Sequence, residues 1–218
     1  MNGIWGIYLL SWLILLLLGY FLGCLNGSVM ISHFVIRDDV RQHGSGNAGL
    51  TNFYRTYGAR YALGVILFDM GKTVLACLLG GVVMRYLAGD WKLGVLLGGL
   101  GCELGHMFPV FFGFKGGKGI LSGGTLVWLL DWRVGLIAWV LFAALWLLTK
   151  YVSLGSVCAA ASMPISTFFF CGQSLLYTVL AVLIAALVIW CHRENITRLL
   201  HHQERKFQWH TGTPKEKE

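Results

Sequence analysis

The chain is a series of long apolar runs separated by short polar ones. Seven runs approach the roughly 20 residues that carry a helix across a bilayer: 4–24, 60–87, 93–112, 119–130, 134–149, 153–171 and 174–191. The fourth is short and opens inside Gly119-Ile120-Leu121-Ser122-Gly123-Gly124, so it is expected to be partly enclosed by its neighbours. The pattern predicts an all-α polytopic membrane protein of about seven transmembrane helices, with residues 1–210 forming a single integral membrane domain. Residues 211–218 (Thr-Gly-Thr-Pro-Lys-Glu-Lys-Glu) are polar and are expected to be a disordered tail. No internal repeat of the kind many transporters carry is visible.

Composition agrees with the pattern. Hydrophobic residues make up 56% of the chain and charged residues 12%, with a mean hydropathy of +0.68, whereas a soluble domain carries about 25% charged residues. Neither a large soluble domain nor a basic nucleic-acid-binding module has room in 218 residues of this kind. The net charge of +7 is concentrated in a few loops and the tail, which reads first as orientation. With the N-terminus outside, the inner loops hold Arg37, Arg41, Arg55, Arg60, Lys115, Lys118, Lys150 and six tail residues; the outer loops hold only Arg85, Lys92 and Arg133. The reading is therefore N-out and C-in. The first basic residue is Arg37, so the charged head of a signal peptide is missing and the first run is read as a retained helix. Cys24, Cys77, Cys102, Cys158, Cys171 and Cys191 lie in or at the ends of apolar runs and read as inert thiols. His201-His202 and His210 have no Cys or carboxylate cluster beside them, so no metal and no cofactor is expected.

Chemistry is sought in the polar breaks. Gly44-Ser45-Gly46-Asn47-Ala48-Gly49 has the letters of a dinucleotide-binding turn, but the charged residues before it make no buried strand. The physics of such a loop still applies. Glycines let backbone N–H groups converge on an anion, and a helix start adds partial positive charge. Gly44, Ser45, Gly46, Asn47, Gly49, Thr51 and Asn52, followed by Arg55, are candidate binding residues; a flexible connector is the plain alternative. A second loop, Gly113-Phe114-Lys115-Gly116-Gly117-Lys118-Gly119, is not a Walker A motif. It places Lys115 and Lys118 among Gly116 and Gly117 at the start of a helix, where an anion gains from point charge and backbone donors together. An ordinary positive-inside loop is the alternative there.

Other breaks are less specific. Pro109 should end its helix near the surface, with His106 in the last turns, in either a structural hydrogen bond or a direct role. Asp69 and Lys72 lie i,i+3 and are expected to pair; Glu103 has no assignable role. His192 and Asn195, three residues apart, should share one helix face, either as a solvated helix end or as ligands for a hydroxyl or phosphate. His33 and Asp38 satisfy H-x4-D, a catalytic signature of one family of acyltransferases, but His33 stands at the end of the first apolar region in no soluble α/β context, so the match is read as coincidence. No G-x-S-x-G occurs, so a covalent serine mechanism has no support.

Three stretches in order, Gly44–Asn52, Gly105–Gly119 and His192–Leu200, resemble the bacterial acyl-phosphate:glycerol-3-phosphate acyltransferases of the PlsY type. The resemblance covers nearly the whole chain. It departs at Leu50, Ile120-Leu121-Ser122, Thr73 and His202-Gln203 before Glu204, which bears on the acyl pocket and turnover more than on reaction class. It implies a multi-pass enzyme of the bacterial inner membrane, active on its cytoplasmic side. The reaction would move a fatty acyl group from acyl phosphate to the 1-hydroxyl of glycerol 3-phosphate, giving lysophosphatidic acid and phosphate, the first step of phospholipid synthesis. By motif, Ser45, Arg55, Lys118, His192 and Asn195 are implied as catalytic residues, with Ser153 and Ser156 lining the same cleft. The partners would be the two substrates and the bilayer; a monomer is expected, with handover from the enzyme that makes acyl phosphate.

Because acyl phosphate is an activated anhydride, positioning and charge stabilisation suffice. Arg55 and Lys118 are the first choices to hold phosphates, the first loop's N–H groups and Ser45 to meet the oxyanion, and His192 with Asn195 to orient the acceptor. No second group is evident in the sequence to orient His192 as a base, which favours a substrate phosphate as proton acceptor. A small transporter for an organic phosphate or other anion is the alternative from another class.

Overall fold

The computed structural model describes residues 2–208; the predicted tail, 211–218, lies outside them. Ten helices follow in order: α1 (Asn2–Cys24), α2 (Gly27–Ile31), α3 (Leu50–Tyr57), α4 (Ala59–Ala88), α5 (Trp91–Met107), α6 (Ile120–Leu130), α7 (Trp132–Thr149), α8 (Val152–Phe170), α9 (Leu175–Cys191) and α10 (Arg193–Leu200). Among the described residues there is no strand.

The protein is an all-helical integral membrane protein, and its spans are less uniform than the seven expected. Among the described residues, five helical stretches are long and apolar enough to cross a membrane: Trp5–Ile36, Ala59–Ala88, Trp91–Phe112, Trp132–Thr149 and Val152–Phe170. The sixth candidate is α9 with α10, bent by 59°. Helix α6 has 11 residues and reaches about 16 Å at 1.5 Å per residue, short of a hydrocarbon core about 30 Å thick.

Helix α5 is the hub, packed against α1 and α4 with nearly all its residues buried. In lipid, close packing replaces the hydrophobic drive, so small residues mark helix contacts. A side chain on Gly94 would run into the Gly80 carbonyl of α4; one on Gly101 would run into the Leu16 carbonyl of α1. Glycine thus lets two backbones touch α5 from two sides. The other end of α5 stops where expected: Phe108 caps it, and Pro109 precedes a 3-10 turn, Val110–Phe112.

Polar groups segregate to the two ends of the bundle. At one end Lys92 and Arg133 converge on Asp131 (3.2 and 2.9 Å). At the other lie both glycine-rich loops and the residues after α10. A buried cluster sits between α1, α2, α4 and α5. The expected Asp69–Lys72 pair is there at 2.8 Å. The Lys72 ammonium also reaches the Gly23 and Leu25 carbonyls and His106 Nδ1 (3.1, 3.0 and 3.0 Å). Glu103 is fully buried with both carboxylate oxygens unpartnered.

Candidate active site

The first loop is folded by one side chain. Asn52, buried in the first turn of α3, accepts from the Ser45 amide (2.9 Å) and donates to the carbonyls of Val40, His43 and Asn47 (3.2, 3.0 and 3.1 Å). Gly44, at φ +62°, backs onto this carboxamide, so neither its conformation nor its space admits a side chain. Asn26 holds the far side of the loop by donating to the Ala48 carbonyl (3.2 Å).

The second loop turns back over the end of α5: Gly116 donates to the Met107 carbonyl (3.2 Å) and Gly117 to that of His106 (3.0 Å). The loops then meet directly. Ala48 N–H and Asn47 Nδ2 both donate to the Gly116 carbonyl (3.3 and 3.4 Å).

The third contribution comes from the break after α9. His192 caps α9, and Arg193 starts a new helix, so His192 and Asn195 do not share the face of one helix as expected. Both still face the same cavity. The His192 ring, 4% exposed, is held by a hydrogen bond between Nδ1 and the Val188 carbonyl (2.8 Å). A carbonyl only accepts, so Nδ1 carries the proton and Nε2 is an acceptor. The orienting group absent from the sequence pattern is thus a backbone oxygen one turn away.

Lys118 donates to Asn195 Oδ1. Asn195 Nδ2 donates to Glu204 Oε1 (2.7 Å), as does Ser153 (2.7 Å); Arg198 Nε donates to Glu204 Oε2 (2.8 Å). The Glu204 carboxylate therefore joins α8, α10 and, through Asn195, the second loop. Burial raises its pKa, but the bonds from Asn195, Arg198 and Ser153 outweigh that and hold it below the usual carboxylate range. Lys118 is pushed below the ordinary lysine value, first by burial and then by the Arg198 charge. Arg55 lines the same cavity and donates to the Arg205 carbonyl (3.4 Å).

These groups bound a cavity of about 770 Å³, within the ~300–1,000 Å³ usual for small-ligand sites. Its polar wall carries Ser45, Gly46, Asn47, Gly49, Thr51, Asn52, Arg55, Lys115, Gly116, Lys118, Ser153, Ser156, His192 and Asn195. Its apolar wall is built from α6–α9, including Val127, Phe142, Met163 and Ile184. Gly44 and Gly117 lie behind the wall. Gly44 packs on Asn52 and Gly117 on the His106 ring.

Sequence reasoning missed Glu204 and Arg198 on this wall, because both read as ordinary polar residues beyond the last apolar run. It also expected the loop amides to hold an anion. Ser45, Gly46 and Ala48 N–H groups are already donated to Asn52, His43 and Gly116. The Gly44, Asn47 and Gly49 amides make no such bond among the described residues, and the first turn of α3 adds N–H groups with no partner within the helix. The H-x4-D match is coincidental: His33 is exposed, and Asp38 pairs with His43 instead (2.9 Å).

Fold and site together define an integral membrane protein with a basic, hydroxyl- and amide-lined cleft that opens into an apolar chamber among its helices. The model of a family described as glycerol-3-phosphate acyltransferase matches residues 13–202. Glycerol-3-phosphate acyltransferase of Finegoldia magna is 38% identical over 201 residues, covering 90% of this chain and 98% of that one. That of Synechococcus sp. is 41% identical over 192 residues, covering 88% and 93%. The crystal structure of PlsY (YgiH), an integral membrane glycerol 3-phosphate acyltransferase, in its glycerol 3-phosphate form superposes with a TM-score of 0.80 at 34% identity, covering 91% of this chain and 96% of that one. Its lysophosphatidic acid form gives 0.76. The chain belongs to the glycerol-3-phosphate acyltransferase family.

Proposed function

We propose that the protein transfers a fatty acyl group from acyl phosphate to the 1-hydroxyl of glycerol 3-phosphate, forming lysophosphatidic acid and releasing phosphate. One observation carries the reading: a single cavity has Lys118, Arg55, His192 and Asn195 on one wall and an apolar chamber behind them. That is the division a donor with a phosphate head and a hydrocarbon tail requires. The relative's structures with glycerol 3-phosphate and with lysophosphatidic acid support the same acceptor and product.

In this reading Lys118 and Arg55 bring the two phosphates together, each offsetting repulsion that a low-dielectric site would magnify. His192 accepts the hydroxyl hydrogen at Nε2 and aims the oxygen at the acyl carbon. The α3 first turn and Ser45 face the charge that develops on the acyl oxygen. The C–O bond forms, the acyl–phosphate bond breaks, and the hydroxyl proton ends on the released phosphate. The acyl-phosphate donor, monomeric state and handover from the enzyme making the donor belong to this proposal. So do a bacterial inner-membrane location and a cytoplasmic-facing site, which the clustering of basic loops at that end of the bundle supports.

The test is donor choice. Purified protein given labelled glycerol 3-phosphate should make an extractable lysolipid from palmitoyl phosphate and none from palmitoyl thioesters. Product from a thioester alone would overturn the donor assignment.

A further inference from the structure

Helices α5 to α9 pack in a ring, each against the next and α9 against α5. The ring is polar at the end that carries the loops, where Lys118 and His192 line the cavity. Below them small side chains keep it hollow: Ala159 and Ala160 on α8 and Ala185 on α9 are part of the lining. The hollow then ends on four helices. Its deepest lining residues are Val127 of α6, Ala138 of α7, Met163 of α8 and Ile184 of α9. All four are buried and belong to one packed cluster, which continues deeper as Leu130, Val134 and Leu180, outside the lining. On α8 the change is abrupt. Ala159 and Ala160 are partly exposed, and Met163, one turn deeper, is 3% exposed.

We propose that this chamber is a closed-ended shaft for the acyl chain, and that its floor of Val127, Ala138, Met163 and Ile184 sets the longest chain transferred efficiently. This rests on the reaction proposed above and adds which side chains select the donor. From Ser153 to Met163 the shaft is about 15 Å deep at 1.5 Å per residue. An extended chain with C–C bonds of about 1.5 Å at near-tetrahedral angles advances about 1.25 Å per carbon, so about a dozen carbons fit below Ser153. Each methylene that enters the shaft strengthens binding about fourfold, the equivalent of burying one CH₂. A carbon beyond the floor meets side chains packed at interior density, and the gain stops there. A tail that instead left the ring sideways into lipid would meet no such limit.

The test is the chain-length profile, read as kcat/KM for a series of saturated acyl phosphates from 8 to 20 carbons. Met163→Ala deepens the shaft by two to three heavy atoms. It should move the profile toward longer donors, raising the ratio of the longest to the middle members about tenfold. Ala160→Phe fills the shaft one turn above the floor. It should cut kcat/KM for palmitoyl phosphate at least about tenfold and leave octanoyl phosphate within about twofold. KM for glycerol 3-phosphate should stay unchanged in both variants. A purely structural role for these positions would instead lower activity with every donor alike. Wild-type profiles, or losses equal at all lengths, in well-folded variants would overturn the proposal.

If neither variant folds, the wild type decides. Its kcat/KM should climb with each added methylene and then level or fall at one length. A steady climb through 20 carbons would overturn the closed floor and favour a tail that runs out into lipid. No turnover of any donor by well-folded wild type would overturn the proposed reaction instead.

Discussion

Lys118 donates to Asn195 across 77 residues of sequence, tying the second glycine-rich loop to the helix that follows the α9 break. The two side chains should behave as one unit in catalysis. Lys118→Ala should cost at least about 100-fold in turnover, the scale of a lost charge-stabilising group, while the protein stays folded in detergent. Asn195→Ala should cost about tenfold. The double variant should be little worse than Lys118→Ala alone, because coupled residues are not additive. Steady-state rates of the four proteins check this; independent, multiplying losses would separate the residues.

Glu204 holds Asn195, Ser153 and Arg198 together. Its folded-state pKa is depressed below the ordinary 4.5. A depressed acid contributes stability that is complete above its unfolded value and is lost as pH falls through its folded value. Melting in detergent should therefore be insensitive to this group at neutral pH and fall only in acid below the usual carboxylate range. Glu204→Gln should lower stability at pH 7 by about 1–3 kcal/mol and flatten the acid-side slope. An unchanged slope would remove Glu204 from the network.

Gly94 and Gly101 let α4 and α1 touch α5 at the backbone. Replacing Gly101 with Leu forces α1 away from the hub. The variant should be recovered aggregated or with a melting temperature lowered by several degrees, since overpacking costs about 1–3 kcal/mol or more. Size-exclusion profiles read the result, and a wild-type profile and melt would contradict this packing. Gly71, with nothing near its missing side chain, is the control and should accept Ala with little change.

The six cysteines are free, and Cys24, Cys77, Cys102 and Cys171 are buried. Single Cys→Ser variants should keep most activity, within about threefold, since none lines the cavity. Turnover assays on each check it. A well-folded variant that lost activity would give that thiol a role.

Much of this site was legible because glycine and charge stand out against an apolar chain. The two loops, Arg55, Lys118 and Asn195 contribute to one cavity, and each announced itself as polar at a break between apolar runs; Ser153 and Ser156 line it too, but they lie within an apolar run and were implied only by the family resemblance. What was illegible is what folding alone creates. Spacing put His192 and Asn195 on one face of a continuous helix; the 59° bend between α9 and α10 is not encoded by a proline or glycine there. Of the loop amides that looked available for an anion, those of Ser45, Gly46 and Ala48 are taken by Asn52, His43 and Gly116, which spacing does not show. Glu204 looked like one more polar tail residue, because its partners come from α8 and α10. The short α6 was predicted from length alone.

The central claim is acyl transfer between two phosphates in one cavity. Its most direct test is phosphate release by purified protein in detergent, given palmitoyl phosphate with and without glycerol 3-phosphate. Release that depends on glycerol 3-phosphate and disappears in Lys118→Ala is the predicted result. No release by well-folded protein, together with glycerol 3-phosphate uptake into closed proteoliposomes, would contradict the account and make the cavity a transport site.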